Sequence, residues 1–352
     1  MRKITLIVSL IVLCCTVHSF AWCYKEHIQF ARLAAERLIA DPATSPDMKA
    51  WLEQAVPKRF DLAGEKDYFL HAHLGLKPTG YETGLLHWAY DPDVHALTDP
   101  KESKIEPFAA HERLMHFIDL EYFLPGATPR AYKPDLSGKP KLAEIPNDPS
   151  DPRYIQAGYL PLRVAQVYGE LVKSIREHRL NSDDPANNNH ATYWAGYLAH
   201  YAADNTQSQH ATIDYKSQSY FKNSRKAPNV HAAVEYLMCD DEKDYPALRN
   251  EFWPLFESEL SGFSDPVKTD DLFSATLEVA MQSYDALPLI GQAAAAATSS
   301  DGKLDVEKFF RYRGKVDGQE MSVMEMKARQ TAWAVKRIER IWKQAWVEAN
   351  KR

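Results

Sequence analysis

The sequence predicts an all-α protein of one large domain, and three observations carry the prediction. Apolar residues recur at helical spacing along most of the chain. No run of alternating apolar and polar residues persists long enough to make a sheet, and no segment repeats at a solenoid period. The composition agrees: 352 residues, 45% hydrophobic and 26% charged, suffice to bury a full core and exclude a disordered or collagen-like chain. A net charge of -6 excludes a protein that grips nucleic acid mainly through a Lys/Arg field. Metal-dependent chemistry on phosphates stays open, because bound cations would supply the positive charge.

The elements follow in order. Arg2 and Lys3, an apolar run over 4–17 and Ser19-Phe20-Ala21 make residues 1–21 a secretory signal peptide, with cleavage expected after Ala21. The apolar run is too short for a membrane anchor. Leu13 stands where a lipoprotein would need a small residue before Cys14. Residues 22–352 are then expected as one secreted or periplasmic domain with no stable membrane span. Its two cysteines, Cys23 and Cys239, pair as a disulfide or remain separate thiols.

Ile28, Phe30, Ala31, Ala34, Ala35, Leu38 and Ile39 predict a helix over 26–39, closed by Asp41-Pro42. Ser45-Pro46 opens a second over 45–56 as cap and first turn. The region 57–155 is rich in Pro, Gly and Asp, with helices expected over 65–74 and 107–121 and a surface excursion over 125–152. The stretch with Asp91-Pro92-Asp93 and Asp99-Pro100 is not expected to be regular helix. Helical periodicity returns over 160–179, 191–203, 230–238, 271–287, 306–311 and 321–350. The alanine run 293–297 is expected to be a helix end or loop. Trp333, Trp342 and Trp346 of the last helix, and Trp88, Trp194 and Tyr197, are expected in the core.

Five histidines carry an acid four residues on, which in a helix puts both side chains on one face: His87–Asp91, His95–Asp99, His200–Asp204, His210–Asp214 and His231–Glu235. Chance would give roughly two, so the count alone decides little. Context sharpens it. His200–Asp204 ends the apolar helix Tyr193-Trp194-Ala195-Gly196-Tyr197-Leu198-Ala199, His210 follows after a turn, and His231–Glu235 repeats the pair on another helix. Imidazole and carboxylate are the donors zinc takes in hydrolytic sites. His71, His73, His95, His111, His178 and His190 match no motif and are read as surface or structural residues.

In order, these residues resemble the motifs of the zinc-dependent phospholipases C and the single-strand-specific nucleases that share their fold. Trp22 would be the first residue after cleavage, with His27 five positions later. An early Asp follows; Pro92-Asp93 fits best, with Asp91 and Asp61 as rivals. His116-Phe117-Ile118-Asp119 matches the family's next string, although His87, just before Trp88 and Asp91-Pro92-Asp93, competes with His116. His200, Asp204 and His210 fit the central His-x3-Asp-x5-His, and His231 with Glu235 the closing pair. Ser208-Gln209 stands where the family often has Pro-Leu.

The resemblance implies an all-helical fold with a trinuclear zinc cleft, three Zn2+ per chain. The α-amino group and carbonyl of Trp22, with His27, would bind one zinc, and Asp204 would bridge it to a second held by Asp93, His116 and His200. His210, His231 and Glu235 would hold the third. A hydroxide shared by two zinc ions would attack the phosphorus of a phosphodiester, with Asp204 and Asp93 as the catalytic carboxylates and Asp93 orienting the water. Should Cys23 and Cys239 pair, the bridge would pin Trp22 near Glu235. Three functions are implied or left: a phospholipase C, which Glu235 favours; a nuclease or nucleotidase, which His116-Phe117-Ile118-Asp119 favours; and a non-catalytic zinc-binding helical protein. The expected partner is a phosphodiester substrate, a phospholipid headgroup or single-stranded nucleic acid, and no protein partner is implied.

Overall fold

The computed structural model describes residues 24–56, 84–126, 138–180, 185–223, 227–236 and 245–351. The expected signal peptide, Trp22, Cys23, Cys239, Asp61, His71, His73 and the helix over 65–74 lie outside them. The described residues are mostly helical. Helix α1 (Tyr24–Ala40) buries Ile28, Ala31, Ala35 and Leu38. Helix α2 (Pro46–Ala55) starts where predicted: the Ser45 side chain accepts from the Met48 amide at 3.3 Å and Pro46 fills the first turn. After α3 (Leu85–Trp88) comes α4 (Asp91–Thr98), which corrects the expectation that Asp91-Pro92-Asp93 avoids regular helix. Pro92 lies in the first turn, where its missing N–H would have no intrahelical partner in any case.

The helix expected over 107–121 is replaced by two short 3-10 turns, Glu112–Met115 and Leu120–Phe123. Ala109 has φ 49, outside the helical region. The backbone beyond it bonds across the fold rather than along itself: Ile118 N donates to His210 O at 2.8 Å, Tyr159 N to Leu114 O at 2.6 Å and Asp119 N to Ala157 O at 2.6 Å. The buried side chains of Met115 and Ile118 hold this irregular segment in the core.

A single turn, α5 (Tyr154–Ala157), leads into the long helices α6 (Leu160–Leu180) and α7 (Pro185–Asp204), which pack side by side. Then follow α8 (Val230–Tyr236), α9 (Pro246–Gly262), α10 (Leu272–Tyr284), α11 (Leu287–Ala297) and α12 (Val306–Arg311). Helix α9 was not predicted, because Pro254 interrupts its pattern; the helix runs through the proline and buries Leu248, Phe252, Phe256 and Leu260. The alanine run forms the end of α11. An antiparallel hairpin, β1 (Arg313–Val316) with β2 (Gln319–Ser322), departs from the expectation of no sheet. Its signal was Asp317-Gly318, both at positive φ, the preferred pair for a two-residue turn.

The last helix, α13 (Val323–Ala349), is opened by a Ser322/Glu325 capping box. It packs against α1, α6, α7 and α9, with Trp333, Trp342 and Trp346 buried as expected, so α7 and α13 form the centre of the molecule. Tyr197 is buried, whereas Trp88 and Trp194 are only partly so. One glycine on α7 brings the site's support close. A Cβ on Gly196 would come within 2.5 Å of the Trp88 Cβ and 2.7 Å of the Leu85 carbonyl, so only glycine lets α3 lie on α7. Among the described residues no helix is long and apolar enough to cross a membrane.

Candidate metal centre

The chain delivers eight buried donor residues from separate segments: His27 from the first turns of α1, Asp93 from the first turn of α4, and His116 from the irregular segment. His200 and Asp204 come from the end of α7, His210 from the turn Ser208–Ala211, and His231 and Glu235 from α8. They form three groups, within each of which the donor atoms lie within 4.8 Å of one another: His27 with His200 and Asp204, Asp93 with His116 and His200, and His210 with His231 and Glu235.

Asp204 joins the first two groups. Its Oδ1 is 3.2 Å from His27 Nε2, and its Oδ2 is 3.0 Å from His116 Nδ1 and 3.2 Å from His200 Nε2. Asp93 stands beside both, with Oδ1 at 3.7 Å from His200 Nε2 and 3.8 Å from His116 Nδ1, and Oδ2 at 4.0 Å from His27 Nε2. The His27 and His200 rings stack with centroids 3.8 Å apart. In the third group Glu235 Oε1 lies 2.5 Å from His231 Nε2 and 3.5 Å from His210 Nε2.

Main-chain carbonyls orient two of the rings. His200 Nδ1 donates to Ala89 O at 2.8 Å, and His210 Nδ1 donates to His116 O at 2.6 Å. Each bond leaves the Nε2 lone pair facing its group, as a metal-ligating imidazole requires. His116 presents Nδ1 to the group and turns Nε2 toward Glu112 Oε1 at 3.8 Å. Glu112 accepts in turn from the Tyr201 hydroxyl and from Arg163 Nη2 at 3.4 Å.

The donor set fits a cation. His200 Nε2 and His116 Nδ1 lie 3.1 Å apart, a separation at which two lone pairs repel unless a proton or a cation lies between them. Asp93 Oδ1, Asp204 Oδ1, His210 Nε2, both His231 nitrogens and both Glu235 oxygens are buried without a hydrogen bond among the described residues. Such atoms are costly in a dry interior unless something else satisfies them. Without a cation, burial decides their charge. It pushes the Asp93 carboxyl up to about 8, with Asp204 and Glu112 adding to the effect and His200 opposing it. Burial likewise holds Asp204 and Glu235 well above the usual carboxylate range. It takes His210 down to about 4, lowers His200, and holds His116 and His231 well below their ordinary value. The groups are thus held neutral; a bound cation would ionise the carboxyls and keep the imidazoles in the neutral form that burial already favours. These buried His, Asp and Glu clusters can hold metal ions.

The rivals separate by partner. Asp91 Oδ2 accepts from the Tyr197 hydroxyl at 2.6 Å and lies 3.1 Å from His95 Nε2; its Oδ1 is 3.8 Å from His87 Nε2. Asp91 and His87 therefore sit with one another, outside the three groups. His95 also meets Asp99 at 3.1 Å, and His190 is exposed. Sequence reasoning missed Glu112, Glu26, Lys327 and Gln330, the polar supports behind the donors. Lys327 and Gln330 carried a signal, since both fall on the apolar stripe of α13. Comparison with known proteins finds no match: no family model, curated relative or solved structure is similar to this chain.

Proposed function

We propose that this chain is a secreted or periplasmic zinc-dependent phosphoric-diester hydrolase of phospholipase C type, holding three zinc ions. The observation that carries the reading is the sharing of His200 between two buried donor groups, with Asp204 of the first group 3.0 Å from His116 of the second and a third group tied to them through the His116 carbonyl. The motif resemblance supplies the ion, the count and the reaction class. In this reading His27, with the amino terminus of Trp22 once the leader is removed, would help hold the first ion; Asp93, His116, His200 and Asp204 would hold the second; His210, His231 and Glu235 would hold the third.

Bound zinc supplies Lewis acidity: it neutralises phosphate oxygens and lowers the pKa of water toward neutrality. The chain supplies the rest. Asp204 lies between two groups, and Asp93, beside both, would orient an attacking water by hydrogen bond. The Ala89 and His116 carbonyls orient His200 and His210. Glu235, the acid more usual in the phospholipase branch of the resembling family, favours a lipid headgroup. A second reading, nuclease or nucleotidase activity on single strands, draws on Phe117, which is only partly buried beside His116 and fits base stacking.

Phosphorus NMR of the zinc-loaded chain beginning at Trp22, mixed with phosphatidylcholine micelles and single-stranded RNA in one tube, tests the reading. Phosphocholine is the expected product. Nucleoside monophosphates alone would replace it by the nuclease reading, and no product with three zinc ions bound would leave a binding protein.

A further inference from the structure

Helix α13 turns a mostly apolar face to the core, yet polar residues are buried on it, among them Lys327 at 0% exposure and, one turn on, Gln330 at 5%. Lys327 Nζ donates to Glu26 Oε1 at 2.9 Å and to the carbonyl of Val234. Glu26 immediately precedes His27, and Val234 immediately precedes Glu235. Gln330 Nε2 donates to the Ser208 hydroxyl, two residues before His210. The helix that contributes no donor thus grips the neighbours of donors on three separate segments. A fully buried ammonium–carboxylate pair is weak as a source of stability, because the desolvation of both charges offsets their attraction. What the pair does supply is direction, since one ammonium bonded to both α1 and α8 sets the distance between them.

We infer that Lys327 is a positioning residue of the metal centre, holding His27 and Glu235 at the spacing that lets their groups take up metal. The inference rests on the metal-binding reading above and adds to it a residue outside the donor set. Its sign is distinctive. A nearby positive charge repels a bound cation, so if Lys327 acted only through charge, removing it would tighten metal binding. If it acts by position, removing it weakens binding.

The test uses the mature chain stripped with a chelator and titrated with cobalt(II) against a chromophoric competitor. Glu235→Gln identifies which equivalent belongs to the His210, His231 and Glu235 group. Lys327→Met is expected to weaken that same equivalent by about 10- to 100-fold, the range for loss of an outer partner of a metal ligand. At least one other equivalent should keep its wild-type affinity, and Lys327→Arg should recover part of the loss. Circular dichroism checks folding. If the single variant unfolds because Glu26 loses the ammonium facing it, Lys327→Met with Glu26→Gln removes both charges and is expected to show the same weakening. Unchanged or tighter binding in a folded variant overturns the positioning role and leaves the metal reading standing. A wild-type chain that takes up no cobalt(II) overturns both.

Discussion

Asp91 and Asp93 share the first turn of α4, and their partners give them different work. Asp91 is satisfied by the Tyr197 hydroxyl and His95, whereas Asp93 Oδ1 is buried beside His116 and His200 without a hydrogen bond among the described residues. Asp93→Asn should therefore reduce metal content and lower metal affinity at least about 100-fold, the upper range for an outer-shell partner. Asp91→Asn removes an acceptor from a partly exposed pair and should cost about 1–2 kcal/mol of stability with metal content unchanged. Metal analysis of the two purified variants, with thermal unfolding, checks the contrast. Equal metal loss in both would mean that α4 as a unit, rather than the Asp93 carboxylate, serves the site.

At the scale of elements, the site depends on how closely helices approach. Gly196 lets α3 lie on α7, and that contact delivers the Ala89 carbonyl to His200 Nδ1. Gly196→Ala forces a Cβ against backbone and the Trp88 stem, an overpacking expected to cost about 1–3 kcal/mol. Because the strain moves α3 and its carbonyl, metal affinity should fall as well, which chelator competition beside thermal unfolding would show. A loss of stability with metal affinity intact would separate the helix contact from the site. The helices that build this frame were legible where apolar spacing was unbroken, as in α1, α6, α7 and α13. Legibility failed where a proline stands in a pattern, as at Pro92 and Pro254, and where the backbone bonds to distant segments, as over 112–119. The donors were legible through pairs one helical turn apart and the order of motifs. In the sequence only the local context of Pro92 favours Asp93 over Asp91; the tertiary partners that separate the two acids are not written there. The partners Glu112 and Glu26 escaped for the same reason, whereas Lys327 was marked by its place on an apolar stripe.

For the molecule as a whole, the donor set is a cross-link between segments from α1 to α8, so metal occupancy and folding stability should be linked through protons. The Asp93 carboxyl, raised by burial to about 8 from an ordinary 3.8, keeps its proton in the metal-free fold after the unfolded chain has lost its own. Over that window the folded state binds more protons, so this group destabilises the metal-free protein progressively as pH rises from about 4 to 8, by up to about 1.4 kcal/mol per pH unit. His210, lowered to about 4 from 6.5, acts in the opposite sense at lower pH: its penalty is absent above 6.5 and grows as pH falls toward 4. Metal binding needs the carboxylates ionised and the imidazoles neutral, so it releases the carboxyl protons and removes the high-pH penalty. The rise in Tm on adding zinc to the stripped chain should therefore be larger at pH 8 than at pH 6. A metal-induced rise in Tm that is flat between these pH values would mean that the buried carboxyls are already ionised without metal, and that something other than burial sets their charge.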